Sequence, residues 1–290
     1  MTIRIHADSL LATESQIPYV TSELLAAIEA GVVLRDQGPS KTVKVSLSNQ
    51  NAVVRYGTNV SLGEANVLRL LSTAFAPGSV PVPRVIGTWW SSSSQDTRQT
   101  LYIVTEWVNG ESLEDIWPQL QSSDKDALAA RLSDILRCIR LVKPEGNPYI
   151  GAVDHLPCND DFLRGMGPFT DMDAFIEAFK HVCRPYARGH YMRVLDRLLV
   201  RWRSYSVVLT HGDLCPDNIL VCRTPDGNSW TVAAIVDWEL AGWYPEHWEY
   251  VTLLNCVKWC SDWSSVAQDL LPTKYDDDFI LDSKYRFYLR

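Results

Sequence analysis

The chain has 290 residues, of which 46% are hydrophobic and 21% are charged, which is enough apolar mass for one large domain or two modest lobes. Its formal net charge of -8 at pH 7 argues against binding along a nucleic-acid backbone, because such proteins normally carry a basic face. Residues 1–16 contain no apolar core of signal-peptide length, and no stretch reaches the roughly 18 apolar residues of a membrane helix. We therefore predict a cytoplasmic protein that binds neither nucleic acid nor membrane.

The first hundred residues have the pattern of a small β-rich unit. Runs of β-branched and aromatic residues at 42–47, 52–56 and 101–107 predict strands. Residues 62–75 carry apolar side chains at helical spacing, and the prolines that follow end that helix. The polar segment 91–99 predicts an exposed hairpin loop.

After residue 110 the pattern becomes mainly helical. Residues 123–142 and 170–187 each place apolar side chains on one helix face. Strand signals then return at three short apolar runs, 207–210, 218–221 and 232–238. We predict an α+β fold with a small β-rich N-terminal lobe, residues 1–108, and a larger, mainly helical C-terminal lobe, residues 109–290.

Seven cysteines are scattered along the chain without a CxxC pair. In a chain of this size with no secretion signal, we predict reduced, mostly buried thiols rather than disulfides or a metal site. Cys215 is interpreted as a small loop residue.

The most specific arrangement of polar residues follows the returning strands. An apolar run leads into His211-Gly212-Asp213, Asn218 follows five residues later, and Asp237 ends a further apolar run. Transfer of a γ-phosphoryl group needs a group that orients the acceptor hydroxyl, and hard oxygen ligands for Mg²⁺. We therefore predict Asp213 as the catalytic residue and Asn218 and Asp237 as metal ligands, with His211 bracing the loop by hydrogen bonds.

Each of these residues alone also fits a structural explanation. Asp213 to Asn218 is compatible with an ordinary polar turn, and Asp237 with a helix cap. The joint pattern HxDxxxxN, flanked by apolar strands and followed by a strand-terminal aspartate, is much less expected by chance. A phosphoryl-transfer site is the favoured interpretation.

Two long motifs carry a family resemblance. HGDLCPDNILV at 211–221 and IVDWELAGWYPEHWEY at 235–250 resemble the aminoglycoside phosphotransferase and choline kinase-like family, in a form found in fungal proteins. AVVRYGTNVSLGEANVLRLL at 52–71 is similar to that family's phosphate-binding strand and following helix, and YIVTEWVNGESLEDIWPQL at 102–120 to its inter-lobe hinge. The resemblance implies a two-lobed protein kinase-like fold that binds ATP and Mg²⁺.

The same resemblance implies roles in the N-terminal lobe. Arg55 matches the phosphate-binding basic residue, and Glu64 matches the helix glutamate that pairs with it. Glu106, Trp107 and Val108 match the hinge, whose backbone hydrogen-bonds the adenine.

Two departures from the family pattern concern the residues that bind phosphate. The family usually has lysine where this chain has Arg55, so Lys44 is an alternative phosphate ligand, and Arg55 also fits a surface strand residue that pairs with Glu64. A site shaped for lysine predicts equal or higher activity in Arg55→Lys. Residues 46–51, where we expect the phosphate loop, contain no glycine.

The favoured function is an ATP- and Mg-dependent O-phosphotransferase acting on a hydroxyl of a small molecule, and the acidic balance of the chain suits a cationic acceptor. Glu239 and Glu246 either face that acceptor or are exposed charges, and 276–278 is predicted to be a solvated acidic run. The alternative is a catalytically weak or inactive nucleotide- or metabolite-binding module, which Arg55 favours. A protein kinase is disfavoured, because Asp237 is followed by Trp-Glu rather than Phe-Gly and no Ala-Pro-Glu follows.

Overall fold

The structure is a computed structural model that describes residues 17–91, 99–186 and 189–289. The predicted hairpin loop at 91–99 therefore lies almost entirely outside the described residues, as do residues 1–16. The strands are β1 (Val32–Asp36), β2 (Ser40–Leu47), β3 (Gln50–Gly57), β4 (Val85–Trp90), β5 (Leu101–Glu106), β6 (Glu111–Ser112), β7 (Val207–Thr210), β8 (Ile219–Arg223), β9 (Trp230–Ile235) and β10 (Gly242–Pro245). The helices are α1 (Ser22–Glu29), α2 (Leu62–Ala74), α3 (Leu113–Ile116), α4 (Ser122–Ile139), α5 (Met172–Cys183), α6 (His190–Leu199), α7 (Trp248–Asn255), α8 (Trp263–Asp269) and α9 (Asp276–Leu289).

The N-terminal half of the described chain is built on a five-stranded antiparallel sheet in the order β1-β2-β3-β5-β4. Strands β2, β3 and β5 are those predicted from their β-branched and aromatic runs. The register places Arg55 of β3 between Thr42 and Ile103, in the middle of the sheet. Helix α2 begins at the Ser61 cap, whose hydroxyl accepts the N–H of Gly63 at 3.2 Å.

The C-terminal half is mainly helical and holds two small sheets. One has the order β6-β8-β9, and the other pairs β10 with β7. Strands β7, β8 and β9 are the three predicted apolar runs, and the loops after β7 and β9 carry the polar motif. The predicted helix 123–142 is observed as α4, which ends at Ile139, and the predicted helix 170–187 as α5, which ends at Cys183. This β-rich lobe followed by a mainly helical lobe confirms the predicted α+β fold.

The acidic run 276–278 is not a solvated segment throughout. It forms the first turn of α9, and Asp278 is only 1% exposed. The Asp278 carboxylate accepts hydrogen bonds from the Trp202 indole at 2.7 Å and from the Tyr205 hydroxyl at 2.8 Å. The prediction of a solvated run is therefore wrong for Asp278, whose charge is compensated inside the fold by Arg201 at 2.6 Å.

Among the described helices, none is both long enough and apolar enough to cross a bilayer.

Candidate active site

A cavity of about 680 Å³ lies between the five-stranded sheet and the strand ends of the C-terminal lobe. It is lined by seven of the eight residues predicted for the site, Arg55, Glu64, Glu106, Trp107, Val108, Asn218 and Asp237. The eighth, Asp213, is not in the lining but is hydrogen-bonded to Asn218. The structure thus brings together residues that are far apart in the sequence.

Asp213 is held by the asparagine that follows it in the loop. The side-chain amide of Asn218 donates to the Asp213 carbonyl at 2.8 Å and to its carboxylate Oδ2 at 3.0 Å. Burial and the nearby negative charge of Asp237 raise the pKa of Asp213 to about 6. The group is therefore poised to ionise close to neutral pH.

His211 braces this loop through both ring nitrogens. Its Nδ1 accepts the N–H of Asp213 at 3.1 Å, and its Nε2 lies 3.0 Å from the carbonyl of Val236, the residue after β9. Burial lowers the pKa of His211 to about 4, so the ring is neutral at pH 7 and can satisfy both bonds at once. The next residue, Gly212, has a φ of +85°, and a Cβ there would lie 2.8 Å from the Leu240 carbonyl oxygen.

Glu249, in the first turn of α7, supports the same loop from behind. Its carboxylate accepts the backbone N–H of His211 at 2.6 Å and that of Gly212 at 3.3 Å. Burial raises the pKa of Glu249 to about 7, although both N–H bonds favour its ionised form. Glu249 lies within the motif at 235–250, but nothing in the sequence predicts its contact with His211, which is 38 positions away.

Asp237 lies where β9 turns into a short helical segment, with a left-handed φ of 62°. Both of its carboxylate oxygens are engaged by arginines. Arg55 donates to Oδ1, and Arg35 of β1 donates to Oδ2 at 2.7 Å. Arg35 also lies 3.4 Å from the carboxylate of Asp217.

Arg55 is an interior residue, with a side chain that is 9% exposed, so the surface-strand interpretation is wrong. Its three guanidinium nitrogens face three carboxylates. Nη1 bonds Asp237, Nη2 bonds Glu239, and Nε lies 3.4 Å from Glu64. Burial opposes the charged form, but these carboxylates outweigh it and raise the pKa of Arg55 above its ordinary value.

The structure differs from the roles predicted for Lys44 and Glu239. The ammonium of Lys44 lies over the Trp107 ring, 3.9 Å from its centroid, and Lys44 does not line the cavity. Glu239 is neither free nor a surface charge, since it pairs with Arg55. Glu246 lies outside the cavity lining, with its backbone N–H bonded to Ser206 at 2.8 Å.

The hairpin predicted to form the phosphate loop, at 46–51, lies at the hinge and not beside Asp237. The β2–β3 turn at 48–49 faces the hinge, since the N–H of Trp107 donates to Asn51 at 3.3 Å. The hairpin beside Asp237 is the β1–β2 turn at 37–39, which does contain a glycine, Gly38, with a φ of +76°. Strand β1 escaped prediction because its edge position leaves its side chains mostly exposed, without apolar alternation.

At the hinge, the backbone is only partly used by the protein. The N–H of Glu106 donates to Arg84 at 3.0 Å, and that of Trp107 is taken by Asn51. Within the described residues, the N–H of Val108 makes no hydrogen bond. A donor is thus left on the cavity wall.

A disulfide joins the loop to the end of α7. Cys215 and Cys256 are bonded with a Cα–Cα distance of 5.7 Å, and their sulfurs lie 3.2 and 3.4 Å from Oδ1 of Asp213. The prediction of reduced thiols is wrong for this pair, whereas the other five cysteines are free. Because both sulfurs are in the disulfide, they offer no thiolate for a metal beside Asp213.

The charges around the cavity fit a divalent cation. Arg35 and Arg55 pair with four carboxylates, Glu64, Asp217, Asp237 and Glu239. Asp213 adds a fifth carboxylate close to Asp237. Asn218 and Asp237 supply hard amide and carboxylate oxygens on the cavity wall. A Mg²⁺ ion would therefore meet both suitable ligands and uncompensated negative charge.

The chain has a β-rich lobe and a mainly helical lobe, with Asn218 and Asp237 on the wall of the cavity between them and Asp213 bonded to Asn218. These features define the protein kinase-like fold of small-molecule phosphotransferases. The chain belongs to the phosphotransferase enzyme family APH, whose sequence model matches residues 41–279.

Solved structures agree with this fold. A thermostable mutant of aminoglycoside phosphotransferase APH(4)-Ia, in a ternary complex with ADP and hygromycin B, is 17% identical over 81% of this chain and 76% of that chain, with a TM-score of 0.55. The apo form of a thermostable mutant of the same enzyme is 18% identical over 87% of this chain and 80% of that chain, with a TM-score of 0.56. A search of curated proteins gave no match. At this level of identity the structural similarity shows the fold alone.

Proposed function

We propose that this protein is an ATP- and Mg-dependent O-phosphotransferase that acts on a hydroxyl of a small molecule. The observation that carries the proposal is the meeting of Asn218, Asp237, Arg55 and the hinge around one cavity, with Asp213 held against Asn218 at 3.0 Å. In this proposal the nucleotide lies between an N-terminal lobe of residues 1–108 and a C-terminal lobe of residues 109–290.

Each side chain has a role that its position supports. The hinge at Glu106, Trp107 and Val108 binds adenine, and the open N–H of Val108 is its donor. Arg55, held by Glu64, binds the phosphates. Asn218 and Asp237 hold Mg²⁺, which neutralises phosphate charge when bound.

Asp213 orients the acceptor hydroxyl and accepts its hydrogen bond. Its loop is fixed on three sides, by His211, by Asn218 and by the disulfide. Such fixation supports catalysis by positioning, which is the main demand of phosphoryl transfer.

The acceptor is proposed to be cationic. Asp213 and Asp217 lie on the loop beside the cavity, and the whole chain carries a formal net charge of -8. Focused negative potential raises the local concentration of cations. Amino alcohols and aminoglycosides combine a hydroxyl with a positive charge, and neutral sugars serve as the comparison.

The test combines calorimetric titration of Mg-ATP with turnover on an acceptor panel of amino alcohols, hygromycin B and neutral sugars. Asp213→Asn should lower turnover by about 100-fold or more while nucleotide affinity is retained. Asp226→Asn, in an exposed turn, is the control and should leave both unchanged. Turnover of Asp213→Asn within tenfold of the wild type would remove Asp213 from its role, and absence of Mg-ATP binding would refute the kinase proposal.

A second candidate is a catalytically weak or inactive binding module of the same fold. It is favoured by the engagement of both Asp237 oxygens by Arg35 and Arg55, which competes with metal binding. Nucleotide binding without turnover on any acceptor of the panel would support this candidate.

A further inference from the structure

Arg35 is the one cavity residue of β1 that reaches the opposite lobe through an ion pair. Its Nη1 lies 2.7 Å from Oδ2 of Asp237, and its Nη2 lies 3.4 Å from Asp217. It stands one residue before the end of β1, which forms the edge of the sheet. The partners are 202 and 182 positions away in the sequence.

The two arginines at Asp237 differ in how firmly they are held. Arg55 is buried among three carboxylates, so moving it would leave several charges uncompensated. The Arg35 side chain is 40% exposed, and its second partner, Asp217, is 51% exposed. Asp237 is itself only 8% exposed, but it keeps Arg55 as a partner when Arg35 moves. Arg35 can return to water, so it is the arginine that leaves Asp237 at the lower cost.

Metal binding at Asp237 would favour displacement of Arg35. A cation bound to Oδ2 of Asp237 and a guanidinium on the same oxygen repel each other. Once displaced, the Arg35 guanidinium would still be tethered at the phosphate side of the cavity, opposite the hinge. Its planar fork matches two oxygens of a phosphate.

The hairpin itself offers few other phosphate donors. Its turn has a single glycine, Gly38, and the N–H of that residue is already used by the Asp36 side chain at 3.1 Å. In glycine-rich loops, backbone amides bind the phosphate. In this hairpin, the available phosphate donor is the side chain of Arg35.

We propose that Arg35 exchanges partners: it neutralises Asp237 in the nucleotide-free protein and binds the terminal phosphate when Mg-ATP is present. This proposal rests on the proposed function. The terminal phosphate is specified because Asp217, the second partner of Arg35, lies on the same short loop as Asp213 and Asn218, where the transferred group would be.

Calorimetric affinities for Mg-ATP, Mg-ADP and Mg²⁺ alone test this exchange without relying on turnover. In Arg35→Ala, Mg-ATP affinity should fall about tenfold or more while Mg-ADP affinity changes less than about threefold, because only ATP carries the third phosphate. Mg²⁺ alone should bind more tightly, since Oδ2 of Asp237 is released. Arg35→Lys should give an intermediate loss for Mg-ATP, because it keeps the charge and loses the fork.

Lys41→Ala is the matched control, because Lys41 is 41% exposed on the same hairpin and pairs with Asp36. It should leave all three affinities unchanged. An equal loss for Mg-ATP and Mg-ADP in Arg35→Ala, or no loss for either, would overturn the exchange while leaving the proposed function intact. A wild-type protein that binds neither nucleotide would overturn both.

Discussion

The carboxylate of Glu249 holds the backbone N–H of His211 at 2.6 Å, and so links the first turn of α7 to the loop that carries Asp213. The same carboxylate accepts the N–H of Gly212 at 3.3 Å. Both N–H groups are buried and cannot bond to solvent water, so their hydrogen bonding depends on Glu249.

Replacing Glu249 should therefore disturb the loop directly. Glu249→Gln keeps the shape but turns an amide N–H₂ toward one backbone donor, so we expect unfolding free energy to fall by about 1–3 kcal/mol. Turnover should fall while the KM for ATP changes little, because the nucleotide contacts are not touched. Urea unfolding and steady-state kinetics measure both, and Glu177→Gln, on the exposed face of α5, should behave like the wild type.

Gly212 should not tolerate a side chain. In Gly212→Ala the new Cβ would lie 2.8 Å from the Leu240 carbonyl oxygen at a φ of +85°. Gly227→Ala is the matched control, because Gly227 has a φ of +73° but no atom within 4 Å of the added Cβ. Both variants pay a backbone cost of about 1–2 kcal/mol, and Gly212→Ala should lose clearly more in urea unfolding. Equal losses would show that the Leu240 contact relaxes freely.

Arg55→Lys should reduce stability and nucleotide affinity, contrary to the expectation from the sequence. A lysine has one ammonium group where Arg55 presents three nitrogens to Glu64, Asp237 and Glu239. At least one buried carboxylate then loses its partner, at a cost of about 1–3 kcal/mol in unfolding free energy. Arg203→Lys, at an exposed pair with Asp173, is the control. Unchanged or higher activity in Arg55→Lys would restore the first expectation.

The Cys215–Cys256 disulfide should stabilise the folded chain. It closes a loop with a sequence separation of 41, and such crosslinks typically contribute about 2–4 kcal/mol. A dithiol reductant should lower the thermal midpoint of the wild type and leave the Cys215→Ser/Cys256→Ser double variant unaffected. Cys222→Ser removes a free thiol and should keep the wild-type response to reductant. A reductant shift that persists in the double variant would refute the linkage.

His247 should make the protein sensitive to acid. Its ring is buried against Trp202 and Tyr205, and neither nitrogen has a hydrogen-bond partner among the described residues. Burial lowers the pKa of His247 to about 3, from 6.5 in an exposed chain. Below about pH 6.5 the unfolded state binds a proton at His247 that the folded state does not bind. The contribution of neutral His247 to stability is therefore fully present above about pH 6.5. It declines by up to about 1.4 kcal/mol per pH unit as the pH falls toward 3.

The variant His247→Phe isolates this contribution. Between pH 6 and 4.5, its unfolding free energy should fall less steeply than that of the wild type, and His181→Phe, at an exposed position, should follow the wild type. Urea unfolding at several pH values measures the slopes. Parallel slopes for the wild type and His247→Phe would exclude His247 as a source of acid sensitivity.

The local sequence was enough to predict several strands, one helix and one contact of the site. Strands β2, β3 and β5 and helix α2 were predicted because their residues alternate or repeat along the chain in the way that one buried face requires. Asp213 and Asn218 lie on one short loop, so their spacing alone brought them close enough to bond at 3.0 Å.

The partners of the site residues depend on how distant segments pack. Arg35 meets Asp237 across 202 positions, and Cys256 meets Cys215 across 41. No periodicity or motif encodes such pairs, because they depend on how separate elements pack. The same holds for Asp278, whose acidic neighbours suggested solvent, and for Arg55, whose three carboxylates come from α2 and from the segment after β9. A sequence determines which backbone states and faces each segment prefers, whereas the charge and hydrogen-bonding environment of a side chain is set by the packing of distant segments around it.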